Sequence, residues 1–230
     1  LKAEPAAWLT MDIASTDRVS TCHENIADDL VQQGWSACPG YLPQAACENL
    51  IARFEELRAR QALTPAGIGR LDDNQIAPDI RRDKTHWLMR DDEQDLQYLN
   101  IMENLRRDLN RDLFLGLFEY EAHYALYPPG GFYKRHLDAL KGEKNRIVST
   151  VLYLNEDWQD GDGGELAIYH DDAAEDAAPI KIIAPRLGTL VSFLSEDIPH
   201  EVLPAHKPRK SIAGWFRCNA SSADRVDPLR

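Results

Sequence analysis

The chain has 230 residues and a mass of 26.1 kDa, enough for one large domain with a sizeable core. Its 43% hydrophobic and 28% charged residues are ordinary for a globular protein, and no apolar run approaches the roughly eighteen residues that a membrane-spanning helix needs. A net charge of -12 and a pI near 5.0 argue against a nucleic-acid partner, because affinity for phosphates comes mostly from basic groups; "HKPRK" at 206–210 is the one basic run to set against this.

Residues 1 to about 24 are polar with scattered Ala and Pro, and "ASSADRVDPLR" at 220–230 lacks periodicity, so both ends are expected to be loose. After an apolar segment at 35–42, "CENLIARFEEL" puts Cys47, Leu50, Ile51, Phe54 and Leu57 on one helical face. Residues 63–88, "LTPAGIGRLDDNQIAPDIRRDKTHWL", are punctuated by Gly and Pro and end in a short strand at 84–88; connections this long are usually functional lids or disordered. Leu96, Leu99, Leu105, Leu109 and Leu113 then mark a second helix over about 92–114. Both helices are expected to cover one face of a sheet.

From 117 onward the pattern is short strands between turn residues: 117–127, 131–138, 146–154, 164–170, 179–184, 188–194, 199–203 and 209–217. Turns recur at "YPPGG", "KGEKN", "DGDGG" and "HKPR", and strands so spaced imply a two-sheet jelly roll around a small cavity. The expected fold is therefore mostly β, a double-stranded β-helix buttressed by helices. It reads as a single catalytic domain over 1–230, with a helical part and finger loop at 25–115, the jelly-roll core at 117–217 and a tail at 218–230. Four cysteines, Cys22, Cys38, Cys47 and Cys218, form no CxxC pair, which predicts reduced packing thiols and a cytoplasmic protein; no signal-like apolar stretch is visible.

One dipeptide spacing carries chemistry. "RHLDAL" at 135–140 places His136 and Asp138 two apart, hence on one face of a strand, although chance alone gives such a pair at roughly even odds. His200 in "IPHEVLP", at the start of the seventh strand, would complete a two-histidine, one-carboxylate facial triad, the ligand set of non-haem Fe(II) oxygenases. The rival pair His170 and Asp172 has the same spacing, but its aspartate falls in a polar, Ala-rich loop. Such an oxygenase also needs a cation for the far carboxylate of its oxoacid, a role suited to the planar fork of arginine. Arg209 has the strand parity of Trp215, whereas Lys210 points to the other face. Tyr127 and Tyr153 read by themselves as core residues, and Trp158 as a packing anchor. His123 shares the parity of Tyr127 but, as a lone strand histidine, is left outside the site; His23, His86 and His206 have no partner pattern.

The blocks "IRRDKTHW", "YPPGGFYKRHLD", "TVLYLNEDW", "GGELAIY" and "PHEVLPAHKPRKSIAGWF" stand in an order that resembles the 2-oxoglutarate-dependent prolyl hydroxylases of the oxygen-sensing, hypoxia-inducible-factor type and their bacterial relatives, over roughly residues 30–218. The resemblance implies Fe(II) on His136, Asp138 and His200, with 2-oxoglutarate and O2 as cosubstrates and ascorbate as a stimulant. It implies that Arg209 and Tyr153 hold the distal carboxylate, that Tyr127 positions cosubstrate and substrate, and that Leu166 and Trp215 wall the pocket. It also implies a mobile finger loop at 70–86, although "DDNQIAPDI" departs from the family, as does Ala213, where a hydroxyl-bearing residue is common. The implied activity is hydroxylation of a proline on an exposed loop of a protein, elongation factor Tu by the nearest likeness, giving succinate and CO2. The expected state is a monomer without nucleic-acid or membrane partners. The alternatives to weigh are a nucleic-acid-modifying oxygenase on the same scaffold and a non-catalytic jelly-roll binding module.

Overall fold

The structure, a computed structural model, describes residues 13–67, 77–139, 145–174 and 176–219. Three helices and eleven strands appear among them, and none of the helices is long and apolar enough to cross a membrane. Helix α1 (Ile13–Gln33) buries Cys22, Ile26, Ala27 and Leu30, spaced as a helix requires. It corrects the expectation of a loose segment to about residue 24: Val19 and Cys22 already pack on the core, but the polar residues around them left no clear periodic signal. Helix α2 (Gln44–Ala59) buries Cys47, Leu50, Phe54 and Leu57 as expected. Helix α3 (Glu93–Leu113) is capped by Asp92, whose carboxylate accepts from the backbone N–H groups of Gln94 and Asp95, and it stops at Phe114, which takes the left-handed conformation at φ 55°. Its buried face is Tyr98, Leu99, Met102, Leu105 and Leu109; Leu96 lies off that stripe and is 37% exposed.

The larger sheet has seven antiparallel strands. In spatial order they are β1 (Trp35–Cys38), β9 (Leu190–Leu194), β6 (Arg146–Tyr153), β11 (Arg209–Cys218), β4 (Leu117–Tyr127), β3 (Lys84–Trp87) and β2 (Thr64–Pro65). The smaller sheet has four: β5 (Tyr133–His136), β10 (His200–Val202), β7 (Leu166–Ile168) and β8 (Lys181–Ile183). All eight expected strands are present, and the N-terminal segments at 35–38 and 84–87 widen the larger sheet.

Strand β11 shows how the layers form. Ile212 and Phe216 point to the helices and join Phe54, Tyr98, Met102, Leu105, Tyr124 and Leu152 in one core. Between them Gly214 is obligatory, because a Cβ there would lie 2.2 Å from the Tyr120 hydroxyl, which bonds Thr150 Oγ1 at 2.8 Å. The alternate residues Arg209, Ser211, Ala213 and Trp215 line the space between the sheets, where Tyr127, Tyr153, Leu166, Ile168, Phe193 and Val202 form a second core. Burying each large apolar side chain contributes about 1.5–3 kcal/mol.

The cysteine expectation is corrected in part. Cys22 on α1 and Cys38 on β1 form a disulfide across a sequence separation of 16, while Cys47 is a buried thiol. The two partners are brought together by packing of α1 beside β1, which no CxxC spacing could announce.

Candidate active site

His136 ends β5 and His200 opens β10, and the ladder makes them direct cross-strand partners. Asp138 follows two residues after His136. One donor atom from each of the three lies within 4.8 Å of the others, the one such His/Cys/Asp/Glu group among the described residues. Each imidazole gives Nδ1 to a backbone carbonyl two residues back, His136 to Lys134 at 2.7 Å and His200 to Ile198 at 3.0 Å. That leaves both Nε2 atoms turned to the carboxylate, 3.4 Å and 3.8 Å from its oxygens. Tyr133 stacks on His136 with centroids 3.6 Å apart, and Phe193 packs on His200 at 4.4 Å.

Asp138 is held from the larger sheet. Ser149 on β6 and Trp215 on β11 are register partners, and both donate to Asp138 Oδ2, at 2.6 Å and 3.0 Å; Ser149 also bonds Ser195 Oγ at 2.9 Å. Burial alone would raise the carboxyl pKa, but His200, His136 and the Ser149 hydrogen bond outweigh it and hold the group well below the usual carboxylate range. Burial, reinforced by His136, brings the His200 imidazole down to about 4, so it is a neutral donor at ordinary pH.

Arg209, 1% exposed, lies deeper in the same cavity. Its Nε donates to the Gly164 carbonyl at 2.7 Å and its Nη1 to Ser211 Oγ at 3.2 Å. Gly164 has φ +65°, and a Cβ on it would press against Arg209 Cδ at 3.0 Å, so the backbone itself admits the guanidinium. Tyr127 and Tyr153 stand on either side, each ring 5.0 Å from the guanidinium carbon. Arg209 Nη2 and the Tyr153 hydroxyl are both buried without a hydrogen-bond partner among the described residues. Burial raises the Tyr153 phenol, partly offset by the Arg209 cation, so it is a donor. An unsatisfied cationic donor, Arg209 Nη2, in the wall of a cavity of about 490 Å³ calls for an anionic acceptor.

His136, Asp138, His200, Arg209, Tyr127, Leu166 and Trp215 thus line one cavity, with Tyr153 behind Arg209. The rival His170 and Asp172 are exposed and outside the cluster. Lys207 bonds Asp162 and Lys210 reaches Glu55, both away from the cavity. Of the finger-loop expectation at 70–86, residues 70–76 lie outside the described residues; beyond them Arg81 pairs with Asp83 and lies 4.4 Å over the Tyr133 ring.

Other cavity residues escaped the sequence reading. His123, left out despite its parity with Tyr127, lines the cavity between Trp87 and Trp215, at 5.2 Å and 5.3 Å. Burial, aided by the Arg81 and Arg146 charges, lowers its imidazole to about 4. Arg146 covers Trp215 at 3.7 Å and pairs with Glu121 at 2.9 Å. Parity offered a signal for His123; none existed for Arg146, whose partners are on other strands of its own sheet, or for Ser149, whose partner Asp138 follows β5 of the other.

The 2OG-Fe(II) oxygenase superfamily matches residues 122–217, a span that holds His136, Asp138, His200, Arg209 and Trp215. Among solved structures, a prolyl-4-hydroxylase of Pseudomonas putida is 42% identical with a TM-score of 0.76, the match covering 85% of this chain and 98% of that one. A prolyl hydroxylase of Trichoplax adhaerens, solved with a hypoxia-inducible-factor peptide fragment, has a TM-score of 0.79 at 24% identity, over 90% of this chain and 94% of that one. A prolyl 4-hydroxylase structure from Phytophthora capsici has a TM-score of 0.66 at 18% identity, over 98% and 74% respectively. The last two likenesses concern the fold alone.

Proposed function

Because the chain belongs to the 2OG-Fe(II) oxygenase superfamily, as an iron- and 2-oxoglutarate-dependent dioxygenase of the prolyl hydroxylase kind, we propose that it hydroxylates a proline on an exposed loop of a protein, elongation factor Tu. The observation that carries the reading is the pairing of the His136, Asp138 and His200 donor cluster with the buried, unsatisfied Arg209 Nη2 in the same cavity. One nitrogen-rich facial set suits Fe(II), and one cationic, hydroxyl-flanked end suits the distal carboxylate of 2-oxoglutarate.

Nε2 of His136, Nε2 of His200 and Oδ1 of Asp138 would hold the metal. Ser149 and Trp215 occupy Oδ2 and thereby keep the carboxylate monodentate. Arg209 and Tyr153 bind and orient the oxoacid by its far end, while Tyr127, Leu166 and Trp215 shape the wall and exclude water. Bound there, iron and 2-oxoglutarate supply the oxidising chemistry: O2 is consumed, the oxoacid leaves as succinate and CO2, and a prolyl C–H becomes C–OH. On this reading the chain acts as one catalytic domain, a cytoplasmic monomer with its jelly-roll core at 117–217.

The test is incubation with Fe(II), 2-oxoglutarate and purified elongation factor Tu, followed by mass spectrometry of tryptic peptides. One oxygen gained on a prolyl residue, matched by an equivalent of succinate, is the expected result. Succinate formation without any modified proline in that protein or in a whole-cell extract would refute the prolyl assignment.

A further inference from the structure

A second cavity of about 490 Å³ lies beside the first, walled mainly by Trp87, Leu88, Met89, Leu99, Tyr120 and Ala122, with the charged Arg90, Asp91 and Glu121 also in its lining. Trp87 and Met89 line both cavities. The Trp87 indole is the partition: it stands 5.2 Å from His123 and 6.3 Å from Trp215, whose own indole donates to the ligand Asp138. Trp87 and Met89 are nevertheless 41% and 49% exposed, an uncovered apolar edge at the mouth of the site.

The segment that presents them is pinned at each residue. Trp87 pairs with His123 in the β3–β4 ladder, and Leu88 N–H donates to the Ala122 carbonyl at 2.9 Å. Met89 N–H donates to Asp95 Oδ2 at 2.9 Å, and Asp95 is itself fully buried and receives the Tyr124 hydroxyl at 2.9 Å. Backbone held this firmly under exposed apolar side chains is preorganised for a partner.

We infer that this cavity is a second pocket of the substrate cleft, taking a large apolar side chain of the polypeptide substrate that flanks the target proline. The inference rests on the prolyl hydroxylase reading above. A polypeptide whose proline lies in the iron cavity continues beyond it, and on this side the path crosses Trp87 and Met89, the two residues the cavities share. The volume lies in the range of small-molecule pockets, about 300–1,000 Å³, ample for one leucine, methionine or aromatic side chain. Met89 supplies an unbranched, polarizable contact that adapts to any of them.

Two measurements test this. The first uses peptides with one central proline and Leu, Phe, Ala or Asp placed in turn at each flanking position. With Fe(II) and 2-oxoglutarate, kcat/KM should favour Leu or Phe over Asp at one position by about ten- to a hundredfold, and Met89→Asp should collapse that ratio. The second follows the 13C-labelled Met89 methyl resonance, assigned by its loss in Met89→Leu, in protein loaded with Zn(II) and 2-oxoglutarate. The apolar peptide should move it while the fully buried Met102 stays still. Equal rates at every position, or a Met89 resonance unmoved at saturation, overturns the inference and leaves the hydroxylase reading standing. A Met89 shift on raising protein concentration without peptide assigns the pocket to a second copy of the chain and also overturns it. If no peptide is hydroxylated, the reaction assignment falls and the inference falls with it, whatever the Met89 resonance does.

Discussion

Replacing Tyr153 by Phe removes a single hydroxyl, and the structure fixes the sign of two separate effects. The hydroxyl is buried beside the Arg209 guanidinium without a well-formed hydrogen bond among the described residues, so the ligand-free protein has at most a weak contact with that cation to lose. Its ring stays beside the Arg209 guanidinium, 5.0 Å away, and the variant keeps that packing. The melting temperature without 2-oxoglutarate should therefore not fall. With the cosubstrate the balance reverses, because a hydrogen bond to a charged carboxylate is worth about 1.5–3 kcal/mol. At 1.36 kcal/mol per tenfold, 2-oxoglutarate should bind roughly ten- to a hundredfold more weakly. Calorimetric titration of 2-oxoglutarate into Zn(II)-loaded protein gives the affinity, and a thermal scan of the same samples gives the stability. An affinity within twofold of the parent, or a clearly lower ligand-free melting point, would refute the placement of this phenol against the cosubstrate.

Ser149→Ala deletes one of the two hydrogen bonds on Asp138 Oδ2 and should weaken metal binding about 10–100-fold, read by competition with a chromogenic chelator. His123 titrates at about 4 when folded against 6.5 in the open chain, so unfolding takes up a proton between those values. Stability from this group is full above pH 6.5 and is lost as pH falls toward about 4; urea unfolding at pH 7 and pH 5 should differ by about 2 kcal/mol more in the parent than in His123→Gln. Without reductant, the tryptic peptides bearing Cys22 and Cys38 should run as one linked species. Reduction should cost about 3 kcal/mol for a loop of this length, lowering the melting point by several degrees.

Alternation along β11 let the sequence separate Arg209 and Trp215 from Lys210; the structure adds Ser211 and Ala213 to the cavity face and sends Lys210 to Glu55 on α2. The same alternation placed the eight strands within a few residues, because strands with one face on each core repeat every second residue. What stayed hidden depends on partners remote in the chain. The Ser149–Asp138 bond, the Arg146–Trp215 stack and the Cys22–Cys38 link join residues whose local patterns say nothing of each other. His123 was the nearest miss: its parity was legible, but its role needed Trp87 and Trp215 on either side. Helix α1 was hidden for a different reason, since polar residues outnumber apolar ones around Val19 and Cys22 and blur its stripe.

His200 and His136 are opposite one another in the β10–β5 ladder, so the distance between the two imidazoles is inherited from main-chain pairing. A slip of one residue in the β10–β5 register would turn the His200 imidazole out of the cleft, since each step along a strand reverses the side it faces. The few positions around residue 200 therefore admit no change in length, because any such change is read directly as a change of register.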